Sequence, residues 1–400
     1  MAVVKASHSF DITGIDLHPL VDSREDWDFL NNAGLIHRGI TYRDGFLAEW
    51  RDGSTDLATM FRGDKLNANA SGRLTAGVVE SFSEMLWTGT RYVELWGISG
   101  VSIRAASLDS AMRSEARADD DRLLIAAFDG NDRFVLSPDA DIANGFGGDD
   151  RVNGRGGGDV LAGGDGNDRL RGQAGNDRFF LDRGDDVISG GPGRDLLVVN
   201  SGADVSIRLG ARRPQDTGLG DDRIRGVEDA WGGRGDDRLL GSKGQNELSG
   251  NNGRDVLDGR GGNDLLLGGR GADLLTGGPG QDSLTGGAGA DSFVFRSLRD
   301  LGFSAGTADV ITDFRPGADR IDLSAIDASL VTGGNNAFLW RGDAAFGTSA
   351  QGELRVVRDD RPGRGSDSTL ILIDTDGDAA AEAQLRLRGL HDLGADDFLL

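Results

Sequence analysis

The chain has 400 residues, 65 of them glycine and 6% aromatic, with a formal net charge of −23. An ordinary core of large side chains cannot run through such a sequence, 7 prolines are too few for collagen, and the lack of cysteine removes disulfides and thiolate metal sites. The acidic balance disfavours nucleic acid and anionic membrane surfaces and favours cations as partners.

Residues 1–120 read as an N-terminal β-rich module of unknown role. "GITYRDGFLAEWRDGSTDLATMFRG" and "RYVELWGISGVSIRAASLDSAM" show short strand patterns between turn residues, closing in a helix-like linker. Trp27, Trp50, Trp87 and Trp96 lie here. Core packing is their first reading, and an aromatic face for a sugar or a protein is the second. Glu80 and Glu84 could serve a glycosidase, but acidic pairs carry little weight in so acidic a chain. The opening "MAVVKASHSFDITGIDL" lacks the apolar core of a secretory signal, and no stretch has the roughly 18 apolar residues of a membrane span.

Residues 121–207 form a first block that divides from Ala127 into nonamers, beginning "AFDGNDRFV", "LSPDADIAN", "GFGGDDRVN", "GRGGGDVLA", "GGDGNDRLR". Their sixth position is always aspartate, and the ligand candidates here are Asp132, Asp150, Asp159, Asp168, Asp177, Asp186, Asp195 and Asp204. "LSPDADIAN" departs, with Asp139 where glycine belongs and Ala143 where a large apolar residue belongs. Residues 208–231 form a degenerate insert in which "TGLGDDRIR" recovers the pattern at Asp222. A second block, 232–294, adds Asp237, Asp255, Asp264, Asp273, Asp282 and Asp291, with Asn246 breaking the series in "GSKGQNELS". The consensus is G-G-x-G-x-D-x-U-x, where U is large and apolar.

The spacing has a physical reading. Glycine-rich hexads can turn tightly and aim carbonyl oxygens inward. The remaining x-U-x is a short strand whose alternation sends U to one side and its neighbours to the other. Two nonamers close one coil, so each sixth-position aspartate lies above another at a coil spacing of about 4.8 Å. Carboxylates that close repel, and a hard cation between coils resolves the repulsion. Calcium takes six to eight oxygens with tolerant geometry. On this reading the ions replace the missing core and disulfides.

These nonamers resemble the calcium-binding repeats-in-toxin (RTX) family. The resemblance implies an all-β protein: a right-handed parallel β-roll with Ca²⁺ between successive turns, on the order of ten ions in all. Without calcium, a disordered Gly/Asp chain is the expected state.

Residues 295–400 alternate like strands with Gly/Asp turns. "DVITDFRPGADRIDLSAID" resembles the β-roll cap and C-terminal domain of the serralysin metalloproteases, which implies a β-sandwich-like cap over the last coil. The chain ends "ADDFLL", and its last four residues, Asp397–Leu400, are similar to the uncleaved export signal of that family, which implies the type I secretion apparatus as a partner. "DTDGD" (Asp374, Asp376, Asp378) starts like an EF-hand loop, but Ala379 and Leu385 stand where the loop needs glycine and glutamate, so a plain hairpin loop is favoured.

Enzyme signals are weak. Among His8, His18, His37 and His391 no pair is spaced i, i+4, so the serralysin H-E-x-x-H zinc motif is missing and proteolysis does not transfer. "GFSAG" (Gly302–Gly306) matches a nucleophile elbow without a strand before Ser304 or a helix after it. The reading is a secreted, extracellular calcium-binding protein, non-enzymatic, whose residues 1–120 contact an unknown protein or carbohydrate. The alternative is a secreted hydrolase or lyase with an active site in those residues.

Overall fold

The computed structural model describes residues 128, 130–304, 306–328, 336–347, 352–360 and 367–400 in full and, among residues 1–104, the backbone of the strands alone. The helix-like linker before the repeats, the packing of Trp27, Trp50, Trp87 and Trp96, and the carboxylates of Glu80 and Glu84 therefore lie outside the described residues. The chain divides into two compact units, 1–195 and 196–400.

In the first unit, Asp44–Asp52, Thr55–Ala68, Leu74–Trp87 and Tyr92–Arg104 form an antiparallel meander, with Arg24–Leu30 on its outer edge. Val3–Ala6 pairs antiparallel with Tyr92–Arg104 and parallel with Arg133–Val135, the first strand of the repeats. The meander thus continues into the repeat sheet Arg133–Val135, Arg151–Gly156, Arg169–Ala174 and Val187–Ser189. A second stack holds Ile142–Asn144, Val160–Ala162 and Arg178–Leu181. Every repeat pairing is parallel, and Val152 opposes Leu170, 18 residues on. Two nonamers therefore make one coil of a parallel β-roll.

The x-U-x alternation is what builds the roll. Strands such as Ile142–Asn144 and Val160–Ala162 bury only the central residue. The stacked U side chains Phe134, Val152, Leu170 and Ile188 are at most 1% exposed. Burying each such side chain contributes roughly 1.5–3 kcal/mol. At the start of the stack, Phe128 lies 5.7 Å from Phe134 and 6.4 Å from Phe146, ring centroid to centroid.

The second unit repeats the plan. One stack runs Leu196–Val199, Asp229–Trp231, Glu247–Asn252, Leu265–Arg270, Ser283–Ala288 and Val310–Ile311. The other runs Ser206–Arg208, Arg238–Leu240, Val256–Asp258, Leu274–Thr276, Ser292–Val294 and Arg320–Asp322. Two insertions interrupt the 18-residue coil: Ile207 pairs with Leu239, 32 residues on, and Leu284 with Ile311, 27 residues on. The cap is an antiparallel meander of Glu353–Asp359, Ser368–Asp374 and Ala383–Arg388, and it continues the first stack through Ala383–Arg388 against Val310–Ile311. Phe398–Leu399 closes the other stack, parallel to Arg320–Asp322.

Candidate metal centre

Apart from Asp204 and Asp222, each sixth-position aspartate stands immediately before a strand, as Asp132 before Arg133–Val135 and Asp150 before Arg151–Gly156. In the first unit the backbone N–H of Asp132 donates to Oδ1 of Asp150 at 2.6 Å, Asp150 to Asp168 at 2.7 Å, and Asp168 to Asp186 at 2.8 Å. The opposite edge repeats this from Asp141 to Asp159 at 2.9 Å, Asp159 to Asp177 at 2.9 Å and Asp177 to Asp195 at 2.8 Å. In the second unit the same bonds link Asp237 to Asp255, Asp255 to Asp273, Asp264 to Asp282 and Asp273 to Asp291, at 2.7–3.1 Å. These carboxylates are at most 3% exposed.

One oxygen is thus satisfied and the other is not. Oδ2 of Asp150, Asp159, Asp168, Asp177, Asp255, Asp264, Asp273 and Asp282 is buried with no hydrogen-bond partner. Leaving a buried carboxylate oxygen unmatched is costly. A second oxygen converges on the same place. A Cβ on Gly154 would sit 2.1 Å from Asp159 Oδ2 and 2.8 Å from the carbonyl of Gly172. A Cβ on Gly268 would sit 2.6 Å from Asp273 Oδ2 and 2.5 Å from the carbonyl of Gly286. The first glycine of the repeat is therefore a clearance that carboxylate and carbonyl oxygens share. The fourth has a different reason: Gly166 adopts φ +138°, and a Cβ there would lie 2.0 Å from the carbonyl of Gly148 in the previous coil. Carboxylate and carbonyl oxygens, with no nitrogen or sulfur donor, suit a hard cation such as Ca²⁺. Bound there, it would neutralise the stacked charges and occupy the unmatched oxygens.

Burial, partly opposed by the N–H bond, pushes these acids up: Asp150 to about 8, Asp159, Asp255 and Asp264 to about 7, and Asp168, Asp273 and Asp282 to about 6. Asp177, Asp237 and Asp291 shift the same way for the same cause.

Several expected positions behave differently. Asp204 is exposed and stands off the ladder, where Val205 instead donates its N–H to Asp237 at 2.9 Å. The cause is a slip: Leu197 pairs with Ala230, 33 residues on, but Ile207 with Leu239 only 32 on, so one extra residue lies between Leu197 and Ile207. Asp222 is buried in the insert, where the Thr217 hydroxyl donates to it. Asp291 meets a built-in cation: the Arg315 guanidinium lies 3.5 Å from Asp291 and 3.0 Å from Asp319.

In the two weak repeats the sixth-position side chain finds protein partners. Oδ2 of Asp141 accepts from the Ser137 N–H and hydroxyl, each at 2.8 Å. Asn246 accepts the Ser242 N–H at 2.6 Å and donates to the Glu228 carbonyl.

Sequence reasoning missed three features. The ladder runs on to Asp309 and Asp319, which accept the N–H groups of Asp282 and Asp291 at 2.8 and 3.1 Å. Their signal is D-x-U in "ADVIT" and "ADRID", 27 and 28 residues on instead of 18. Fifth-position side chains form an outer ladder: Asn131 accepts from Asp149 at 2.9 Å, Asp149 from Asn167 at 3.0 Å, and Asn167 from Asp185 at 2.7 Å. Asp204 belongs to this outer ladder, accepting from Asp236 at 2.8 Å. The third is Asp182, whose oxygen lies within 4.8 Å of those of Asp168 and Asp186.

The "DTDGD" segment is a hairpin loop between Ser368–Asp374 and Ala383–Arg388. Oxygens of Asp374, Asp376, Asp378 and Glu382 approach within 4.8 Å, but both oxygens of Asp374 accept loop N–H groups of Gly377 and Ala379, at 2.7 and 3.1 Å. Ser304 of "GFSAG" sits in a turn, its hydroxyl 3.1 Å from that of Thr307, which is not a strand-to-helix elbow.

Residues 222–400 match the peptidase M10 serralysin C-terminal family. Four copies of the RTX calcium-binding nonapeptide repeat match between residues 127 and 205. No protease domain is matched alongside them. No curated protein matches the chain. Among solved structures, the AlgE6R3 subunit of the Azotobacter vinelandii mannuronan C5-epimerase is 27% identical over 48% of this chain and 86% of that one, with a TM-score of 0.22. The extracellular lipase LipA of Serratia marcescens is 15% identical over 62% of this chain and 41% of the lipase, with a TM-score of 0.19.

Proposed function

We propose that this chain, which carries RTX calcium-binding nonapeptide repeats and a serralysin C-terminal domain, is an extracellular protein that leaves the cell unfolded by type I secretion and folds outside on binding on the order of ten Ca²⁺ ions. The observation that carries this reading is the row of buried carboxylates, each with one oxygen held by a backbone N–H and the other unmatched. Asp150, Asp159, Asp168, Asp177, Asp255, Asp264, Asp273 and Asp282 would hold the ions, with Asp132, Asp186, Asp195 and Asp237 completing the ladders. The folded repeats then act as a metal-stiffened spacer. Residues 1–120 contact a protein or carbohydrate target without catalysing a reaction.

The test is a calcium titration of the chelator-stripped full chain, followed by circular dichroism and calorimetry. A steep rise of β-signal at sub-millimolar calcium, with heat from several ions, is expected. A chain that takes up no calcium at millimolar ligand overturns the reading. Hydrolysis of a polysaccharide or peptide panel by the pure protein would replace the non-enzymatic role with that of a secreted hydrolase.

A further inference from the structure

The gap between Asp168 and Asp186 differs from its neighbours. Asp182 stands at the second position of its nonamer, and no other nonamer of the first unit has a carboxylate there. Its Oδ2 accepts the Gly164 N–H from the previous coil at 2.7 Å, while its Oδ1 is buried without a hydrogen-bond partner. Asp168, 1% exposed, likewise leaves its Oδ2 unmatched. One oxygen from each of Asp168, Asp182 and Asp186 falls within 4.8 Å of the others. Three carboxylates from adjacent coils therefore meet in one small space, and Asp168 and Asp182 each carry a buried oxygen without a hydrogen-bond partner.

We propose that Asp168, Asp182 and Asp186 form a three-carboxylate calcium site, the tightest of the repeats and the first to fill. The inference rests on the calcium reading above and assigns an order of filling to it. The reason is charge count. A typical gap offers two carboxylates and backbone carbonyls, whereas this one offers three carboxylates. Calcium affinity in oxygen sites is set largely by the number of ligand charges and by rigidity. The Gly164 N–H supplies rigidity by holding Asp182 across the coils. An ion seated there clamps adjacent coils and gives later ions a formed edge to bind.

The experiment strips the calcium-loaded full chain with increasing chelator and counts retained ions by native mass spectrometry. Wild type is expected to keep a last ion at about tenfold higher chelator than the ion before it. Asp182→Asn, which retains an acceptor for Gly164, is expected to lose that plateau, with circular dichroism in saturating calcium unchanged. Asp165→Asn, an exposed neighbour, is expected to retain it. A plateau that survives in D182N, or one that D165N also removes, overturns the site. A wild-type chain carrying no calcium overturns the calcium reading and this site together. Should D182N not fold, anomalous scattering from wild-type crystals grown with one terbium ion per chain decides. The strongest peak is expected among the three carboxylates, and a strongest peak elsewhere overturns the proposal.

Discussion

At the scale of single residues, the repeat is a device for holding carboxylates where water cannot reach them. Asp159 and Asp273 each give one oxygen to a backbone N–H and leave the other unmatched. Replacing Asp273 by alanine should remove about one ion, and replacing Asn246 none, because the Asn246 amide is already satisfied by Ser242 and the Glu228 carbonyl. Calorimetric stoichiometry checks both. Gly154→Ala should also abolish a site, since the new methyl would overlap Asp159 Oδ2. Equal ion counts in G154A and wild type would show that the carboxylate can move aside. The raised acids set a pH dependence. From Asp168 at about 6 to Asp150 at about 8, the folded metal-free roll holds protons that the unfolded chain, near 3.8, has lost. The protonated acids therefore favour the metal-free fold fully below about pH 4, and this contribution is lost as pH rises through about 6–8. In excess chelator, acidification from about pH 8 to about pH 5 should raise the β-signal. With calcium present the sign reverses, because protons compete for the same oxygens and the calcium midpoint should rise.

At the scale of elements, the C-terminal end of the ladder is finished by an arginine and by the chain's last strand. The last coil uses Arg315 in place of an ion: its guanidinium reaches Asp291 and Asp319, and its backbone N–H donates to Asp319 at 2.8 Å. Arg315→Gln should cost about 1–2 kcal/mol at the cap, a charge-assisted bond discounted for the exposed guanidinium. Thermal melts in saturating calcium measure this, and an unchanged midpoint would deny the arginine its role. The C-terminal residues are likewise part of the fold. Asp397 accepts the Gly317 N–H at 2.7 Å, Phe398 pairs with Ile321, and the Phe398 ring lies 5.0 Å from that of Trp340. A signal read from Asp397–Leu400 would therefore have to be read before the cap closes. Deleting these four residues should reduce export strongly and lower the cap's melting temperature while leaving the calcium transition of the repeats in place. Normal export of the truncated chain would separate the signal from this strand.

At the scale of the whole molecule, the proposed function links metal to fold. Ligand at about 100 times its dissociation constant stabilises by roughly 2.7 kcal/mol per independent site, so a few sites match the typical 5–15 kcal/mol margin of a domain. On the proposed function, free calcium far below millimolar inside a cell would leave the stacked aspartates to repel and the repeats open, as a narrow export channel requires. Outside, sites with the affinity of about 10⁻⁴–10⁻³ M common in extracellular modules would fill and the roll would close. Full β-structure of the intact chain in excess chelator at neutral pH would refute this switch, even with calcium binding retained.

The repeating unit is legible in the amino-acid sequence. A strict nonamer with glycine, aspartate and a large apolar residue at fixed positions determines short strands, an 18-residue coil and a row of carboxylates, because each is a local consequence of period and φ. Asp150, Asp159, Asp168, Asp255, Asp264 and Asp273 can be named on that basis. What depends on how a coil closes is set by tertiary structure. One extra residue between Leu197 and Ile207 moves Asp204 from the inner ladder to the outer one, since a one-residue slip exchanges the two faces of a strand. Insertions hide Asp309 and Asp319, whose spacing follows the pairing of coils and not the count along the chain. Arg315 and Asp182 reach their partners through side chains that the repeat period does not describe. The nonamer can be read residue by residue because its physics is local, whereas the carboxylates that share a gap are chosen only when neighbouring coils come into register.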